Sequence, residues 1–426
     1  MSPLEFMFIT FAVCILLYLP IFVCLGIAAI GTMLVYGMLP IDLMTTVYFS
    51  SLDSFPLLAI PFFIFAGNLM MEGGIAKQLV KLGLTLFGHL RGALATATVF
   101  SCMIFSSFSG SGSATTAAIG GIMIPAMKEE EYDASFAASL TACSGAMGPI
   151  IPPSIMLVVY GVANNVSVGR LFIAGIIPGI MMGLALIFYS YIVCGRKNFG
   201  KIHPKAGIKA TLLAFKDAIW ALFAPIIILG GIYGGFFTPT EAAVIACAYS
   251  LFVGIFIYRG IDSWQKFFRV CANSANTIGM CLALMGAASL FGRIMTLERL
   301  PATAAAAITA MTSNVYVILL AINIFLLIIG MFMESTAANL VLSPLLLSIV
   351  RPLGVDPVHF GIILSINLAI GLCTPPVGLN SFVASKISGV GIGPMLKDQL
   401  PMIGCLCIVL LLVTYFPWFA LVLLGG

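Results

Sequence analysis

The sequence predicts an all-α polytopic membrane protein built from inverted repeats, with two re-entrant helical hairpins and two broken transmembrane helices. Three observations predict it. Of the 426 residues, 61% are apolar and 8% charged, where soluble domains carry about 25% charged residues. Small polar clusters interrupt two of the apolar stretches. The pattern G-x-x-x-P-P occurs twice, with Gly148, Pro152 and Pro153 each 223 residues ahead of Gly371, Pro375 and Pro376. A chain of mean hydropathy +1.17 has too few polar groups to face water. That excludes a soluble enzyme, a nucleic-acid binder and a disordered scaffold. At about 20 apolar residues per crossing, the length admits about ten helical spans in one integrated domain, 1–426.

The first apolar stretch, Glu5 to Gly37, lacks the basic n-region and small-residue cleavage site of a signal peptide. It is expected to remain as membrane helix, either one long or two short. Sidedness comes from the basic residues, which stay on the cytoplasmic side of short loops. The longest polar stretch, Gly195 to Asp217, holds Arg196, Lys197, Lys201, Lys205, Lys209 and Lys216, so it is placed inside. Counting crossings outward puts Arg259, Lys266 and Arg269 inside, and Lys77, Lys81, His89 and Arg91 also if 92–127 enters and leaves on the same face; Lys128, Lys386 and Lys397 join them. Fifteen of the 19 Lys and Arg then lie inside, and Arg170, Arg293, Arg299 and Arg351 outside. The count leaves the side of the N-terminus open.

Residues Ala93–Phe105 and Ala117–Met127 are apolar, but Ser106–Thr116 between them is small and hydroxylated. Neither arm reaches about 20 residues, and a continuous helix would carry its glycines and hydroxyls at mid-membrane. A re-entrant hairpin fits, its irregular tip tolerated where protein or a watery cavity satisfies it. A helix-packing face of small residues is the plainer alternative. The next segment, Ala134–Asn164, is interrupted from Gly145 to Ser154. Prolines lack an N–H and push the preceding residue out of the helix, so Pro152 and Pro153 should leave carbonyl oxygens free as cation ligands.

The C-terminal half repeats the scheme. Val315–Met333 is apolar, Glu334–Asn339 is polar, a short arm follows to Val350, and Pro357–Ile387 is broken from Gly371 to Gly378. By the sidedness count the first hairpin opens inward and the second outward. Inverted repeats with broken helices meeting at the midplane indicate a secondary transporter. The transport parts are expected at 92–164 and 315–387, with the remainder, including 169–194 and 400–424, mainly scaffold and connecting helices.

Among the acids, Glu129, Glu130, Glu131 and Asp133 form a solvated turn, and Glu241 closes a capping box from Thr238. Glu334 differs, because it follows the apolar stretch Val315–Met333, and a carboxylate at a helix centre costs about 2.5–3.5 kcal/mol on insertion scales. A site role is the stronger reading and snorkelling at the membrane edge the weaker. The eleven cysteines are scattered without CxxC and the three histidines lie far apart, so no transition-metal spacing is visible. An intramembrane enzyme would need a metal cluster, paired aspartates or a nucleophile with its base, and none is present. Abundant neutral oxygens without a proton relay of Asp, Glu and His favour sodium as the coupling ion.

Four segments carry a family resemblance: Ser109–Ser113, Gly148–Ser154, Phe237–Glu241 with the two alanines after it, and Gly330–Glu334. Together they resemble the large membrane subunit of TRAP (tripartite ATP-independent periplasmic) transporters over essentially the whole chain. The resemblance implies an elevator-type, ion transporter superfamily-like fold in the bacterial inner membrane. It implies sodium-driven import of an organic acid, such as a sialic acid or C4-dicarboxylate, and no enzymatic activity. A small four-helix membrane subunit and a periplasmic substrate-binding protein would be the partners, besides lipid, with Na+ in two or more sites and no organic cofactor. The family's first sodium site carries over to Ser106, Ser109, Gly148, Ile151 and Pro153, and the second to Gly330, Gly371, Thr374 and Val377. Ser113 and Glu334 match positions of the substrate cavity, although aspartate is more usual where Glu334 stands. The alternative is a stand-alone sodium/dicarboxylate symporter of similar design.

Overall fold

The computed structural model describes residues 1–17, 19–197, 199–200, 207–300, 303, 304, 306, 312, 314–376 and 378–425, and every regular element in them is helical. The opening stretch forms two short helices, α1 (Pro3–Leu16) and α2 (Ile21–Val35). Pro20 stands at the N-cap between them, where its missing N–H costs nothing. The Tyr36 hydroxyl donates to the Met1 carbonyl at 2.8 Å, so α1 and α2 run antiparallel and the long-helix option is set aside. There follow α3 (Ile41–Ser50), α4 (Ala59–Glu72) and α5 (Ile75–Phe87). Helix α5 is amphipathic: Ile75, Leu79, Val80 and Leu82 are buried while Lys77 and Lys81 point outward.

The first hairpin is α6 (Ala93–Ser109) and α7 (Gly112–Glu129), and the first broken helix is α8 (Ala134–Gly145) and α9 (Ile155–Ala163). Long helices α10 (Val168–Lys197), α11 (Ile208–Tyr233), α12 (Pro239–Phe252) and α13 (Trp264–Leu297) come next. The capping box expected at α12 forms: Thr238 N–H donates to Glu241 at 2.8 Å and Glu241 N–H to Thr238 Oγ1 at 3.3 Å. The second hairpin is α14 (Val315–Phe332) and α15 (Ser335–Val350), and the second broken helix α16 (Pro357–Gly371) and α17 (Leu379–Ser388). Helices α18 (Ile392–Tyr415) and α19 (Trp418–Leu421) close the chain.

Adding 223 to the first residues of α6 to α10 lands within one residue of the starts of α14 to α18. The packing obeys the same operation. Helix α9 lies on α15 as α17 lies on α7, α10 lies on α16 as α18 lies on α8, and α2 lies on α13 as α12 lies on α4. The repeat read from two proline pairs is therefore a repeat of whole elements. Half-helices α8 and α16 are buried almost all round, which their apolarity on every face requires.

Among the described residues eight stretches are long and apolar enough to cross a bilayer, against about ten expected from length, while α1, α2, α6 and α16 are apolar but shorter. Gly and Pro breaks cut several crossings into pieces. Both arms of the second hairpin, Val315–Phe332 and Ser335–Leu353, are among the eight, so length does not distinguish them from ordinary spans.

The loops assigned to the inside meet on one face. Lys81 pairs with Asp217 at 2.6 Å and Lys197 with Asp398 at 3.0 Å, Ser135 Oγ donates to Asp398 at 3.0 Å, and the Lys128 ammonium donates to the Ser388 carbonyl. At the other end the Tyr160 hydroxyl donates to the Pro357 carbonyl at 2.7 Å, and Thr240 Oγ1 to the Phe55 carbonyl at 3.0 Å. Phe8 and Phe11 pack on Phe291 in the late part of α13, which puts the N-terminus on the Arg293 side, opposite the basic face.

Candidate functional site

Both hairpin tips and both breaks converge on one cavity of about 510 Å³, closed on the third side by the middle of α13 (Thr277 to Leu284) and by Pro20–Phe22. Ser113 and Glu334, named from the sequence, both line it. So do Ser111 and Thr336, which lie within the polar tips read from the sequence, and Thr277, an isolated hydroxyl on a helix that carries no pattern.

At the first break the tip of the hairpin rests on the unwound backbone. A Cβ on Gly148 would lie 2.5–2.7 Å from the backbone of Ser111 and Gly112, and one on Gly110 would lie 2.9 Å from the Pro153 carbonyl oxygen. Gly110, at φ +57, also ends α6, a conformation in which glycine bears no Cβ penalty. Among the described residues no backbone hydrogen bond is directed at the carbonyls of Gly148, Ile151 or Pro153. The two prolines thus leave acceptors free as expected. Ser106 is fully buried and its Oγ has no partner, an orphan that ordinarily calls for an unseen partner. Ser109 Oγ shares a 2.7 Å hydrogen bond with Thr115 and donates to the Ser111 carbonyl at 3.2 Å. The donor set, all neutral oxygen at the C-terminal ends of α6 and α8, fits a small hard cation.

The second break is built alike. A Cβ on Gly371 would lie 2.5–2.6 Å from the Gly330 backbone, so these two glycines let α14 and α16 touch. Thr374 Oγ1 donates to the Ile370 carbonyl at 2.7 Å, and the Gly330 carbonyl accepts no described hydrogen bond. Gly371 is partly used, since its carbonyl accepts from Thr374 N–H at 3.0 Å. Val377, the remaining expected ligand, lies outside the described residues.

Glu334 has a task the sequence did not reveal. It is the N-cap of α15: one oxygen accepts from Ala337 N–H at 3.0 Å and the other from Thr336 Oγ1 at 2.8 Å. Two further buried amides fasten the breaks. Asn380 Nδ2 donates to the Ala142 carbonyl at 3.2 Å, and Gln399 Nε2 donates to the Cys373 carbonyl and Ser381 Oγ, both at 2.6 Å. In the sequence they show only as an amide next to Ser381 and one next to Asp398, with nothing to mark them as fasteners.

Four helices begin at residues lining the cavity: α7 at Gly112, α9 at Ile155, α15 at Ser335 and α17 at Leu379. Each helix N-terminus carries about half a positive charge. Among the described residues Glu334 is the one charged side chain in the lining. The cavity therefore offers an anion converging helix dipoles instead of Lys or Arg, with cation-type ends of α6, α8, α14 and α16 just behind.

The sequence matches, over residues 8–419, the family described as "Tripartite ATP-independent periplasmic transporter, DctM component". It is 47% identical over 98% of its length to the isethionate TRAP transporter permease protein DctMQ of Oleidesulfovibrio alaskensis, of which it spans 65%. It is 40% identical to the C4-dicarboxylate TRAP transporter large permease protein DctM of Pseudomonas aeruginosa, covering 94% of this chain and 93% of that one. Identity to the sialic acid TRAP transporter large permease protein SiaM of Vibrio cholerae is 38%, over 87% of each. In fold it is similar to the YdaH transporter of Alcanivorax borkumensis, with a TM-score of 0.65 at 14% identity over 91% and 90% of the two chains. MtrF of Neisseria gonorrhoeae gives 0.60 at 12% identity over 87% and 83%.

Proposed function

The chain belongs to the DctM component family of tripartite ATP-independent periplasmic transporters, and from that premise we propose that it imports a small organic acid by sodium symport. The observation that carries this reading is the single cavity on which four helix N-termini converge. An acid anion binds there by dipole and hydroxyl, and sodium ions behind it offset its charge and that of Glu334. Ser106, Ser109 and the carbonyls of Gly148, Ile151 and Pro153 form the first sodium site. Gly330, Gly371, Thr374 and Val377 form the second, and Ser113 and Glu334 touch the substrate. The hairpins re-enter the membrane with their tips at mid-depth, where the cavity satisfies them.

A periplasmic binding protein delivers the acid and a small membrane subunit supports the scaffold. About a third of the isethionate relative lies outside its match to this chain, which leaves room there for a further membrane segment. Carboxylates and sulfonates of the kinds named in the relatives are the substrates to try first. Reconstituted with both partners, the protein should take up the acid in sodium and not in potassium or choline. Full uptake driven by a pH gradient alone would overturn sodium coupling. Uptake without the binding protein would favour the stand-alone symporter.

A further inference from the structure

On the basic face a second cavity of about 500 Å³ lies between the start of α5, the α12–α13 loop and the back of α7. Lys77, Arg259 and Lys266 line it, with Glu72 the one acid. Lys266 is engaged, reaching Asp262 at 2.8 Å and the Gly260 carbonyl at 3.3 Å. Among the described residues neither Lys77 nor Arg259 has an ion-pair or hydrogen-bond partner for its side chain.

Their spacing is built in. A Cβ on Gly260 would lie 2.4 Å from the Gly73 carbonyl carbon, so the loop carrying Arg259 is seated on the α4–α5 turn. Arg259 is held at φ +52, a conformation uncommon outside glycine, where the loop doubles back to bring Ile261 N–H within 3.2 Å of the Gly254 carbonyl. The level is marked as well. Trp264 and Phe268, 75% and 64% exposed, lean their rings together beside this loop. Exposed Trp belongs at the headgroup level.

The geometry points to a site for the headgroup phosphate of an anionic phospholipid, held by Lys77 and Arg259, with its acyl chains along Trp264 and Phe268. A free phosphate would use the same cations but has no use for the exposed aromatic flank. The inference needs only the membrane setting and stands whether or not the transport reading does.

The test is native mass spectrometry of the protein from nanodiscs of mixed phosphatidylglycerol and phosphatidylcholine. The wild type should retain phosphatidylglycerol preferentially. At about 1 kcal/mol per basic residue, Lys77→Gln with Arg259→Gln should cut that preference about thirtyfold. Lys209→Gln with Lys216→Gln, on another basic stretch of the same face, should leave it unchanged. Equal loss in that control pair would reduce the effect to bulk charge and overturn the site. Displacement of the lipid by excess inorganic phosphate would assign the cavity to a soluble anion instead. If the first pair fails to fold, brominated lipids decide the matter on intact protein. Brominated phosphatidylglycerol should quench tryptophan fluorescence more than brominated phosphatidylcholine, and Trp264→Phe should abolish the difference. Equal quenching by the two lipids would overturn the proposal.

Discussion

Thr374 gives its hydroxyl proton to the Ile370 carbonyl at 2.7 Å, which leaves that oxygen's lone pairs free to accept or to ligate. Thr374→Val keeps the shape and removes the oxygen. Loss of one ligand worth about 1.5 kcal/mol should raise half-maximal sodium about tenfold, read as sodium-dependent uptake in proteoliposomes. Ser109→Ala should raise it too, but that side chain also binds Thr115 and the Ser111 carbonyl, so loosening of the tip adds to the loss. Unchanged sodium dependence in both variants would make these hydroxyls packing groups. At this scale the sequence was legible where chemistry is rare and silent where it is shared. A carboxylate after a long apolar stretch announces itself, and Glu334 does line the cavity. Its capping of α15 went unread because N-caps favour Ser, Thr, Asp and Asn. The aspartate that the resemblance implies at this position is itself a preferred N-cap, so capping and the proposed substrate contact fall on one side chain.

At the scale of elements the breaks are set by close backbone approach as much as by proline. Gly371 sits where a Cβ would lie 2.5 Å from Gly330, whose backbone cannot give way, whereas nothing lies within 4 Å of a Cβ on Gly121 of α7. Gly371→Ala should therefore cost about 1–3 kcal/mol by overpacking and abolish uptake. Gly121→Ala should be neutral or stabilising, because alanine is the better helix former. Thermal unfolding in detergent with an uptake assay separates the two, and equal behaviour would refute the glycine contact as the reason for the motif. Prolines and glycines were readable because their backbone restrictions hold in any context, so the two breaks and their 223-residue interval came from sequence alone. The split of 5–37 into α1 and α2 did not. Pro20 suits an N-cap and a kink equally, and only the contact of Tyr36 with Met1 distinguishes them.

On the scale of the whole molecule, the proposed transport rests on how the two repeats are bound to the remaining helices. From sequence, 169–194 and 400–424 looked like scaffold because they are long and apolar. Packing favours assigning them to the moving part. A Cβ on Gly179 of α10 would lie 2.5 Å from Ile151, and one on Gly183 would lie 2.2 Å from Met103, while α18 lies along α8. Surfaces in which a glycine takes in a neighbour's side chain interdigitate and do not slide past one another, since packed interiors are bistable rather than continuously deformable. We propose that the sliding boundary runs between the hairpins and α13, where Ala287 and Leu340 belong to one apolar cluster. Its contacts are side chain on side chain, which a rigid shift can exchange without exposing broken backbone to lipid. Ala287→Cys with Leu340→Cys, on a background cleared of the eleven native cysteines, should crosslink at different rates with and without sodium and substrate. The completed crosslink should stop transport and reduction should restore it. A pair placed within the moving part, Met103→Cys with Gly183→Cys, should crosslink at one rate in all conditions. If the α13–α15 lock left uptake intact, the hairpin tips would have to gate the cavity locally, with no bodily movement of the repeats.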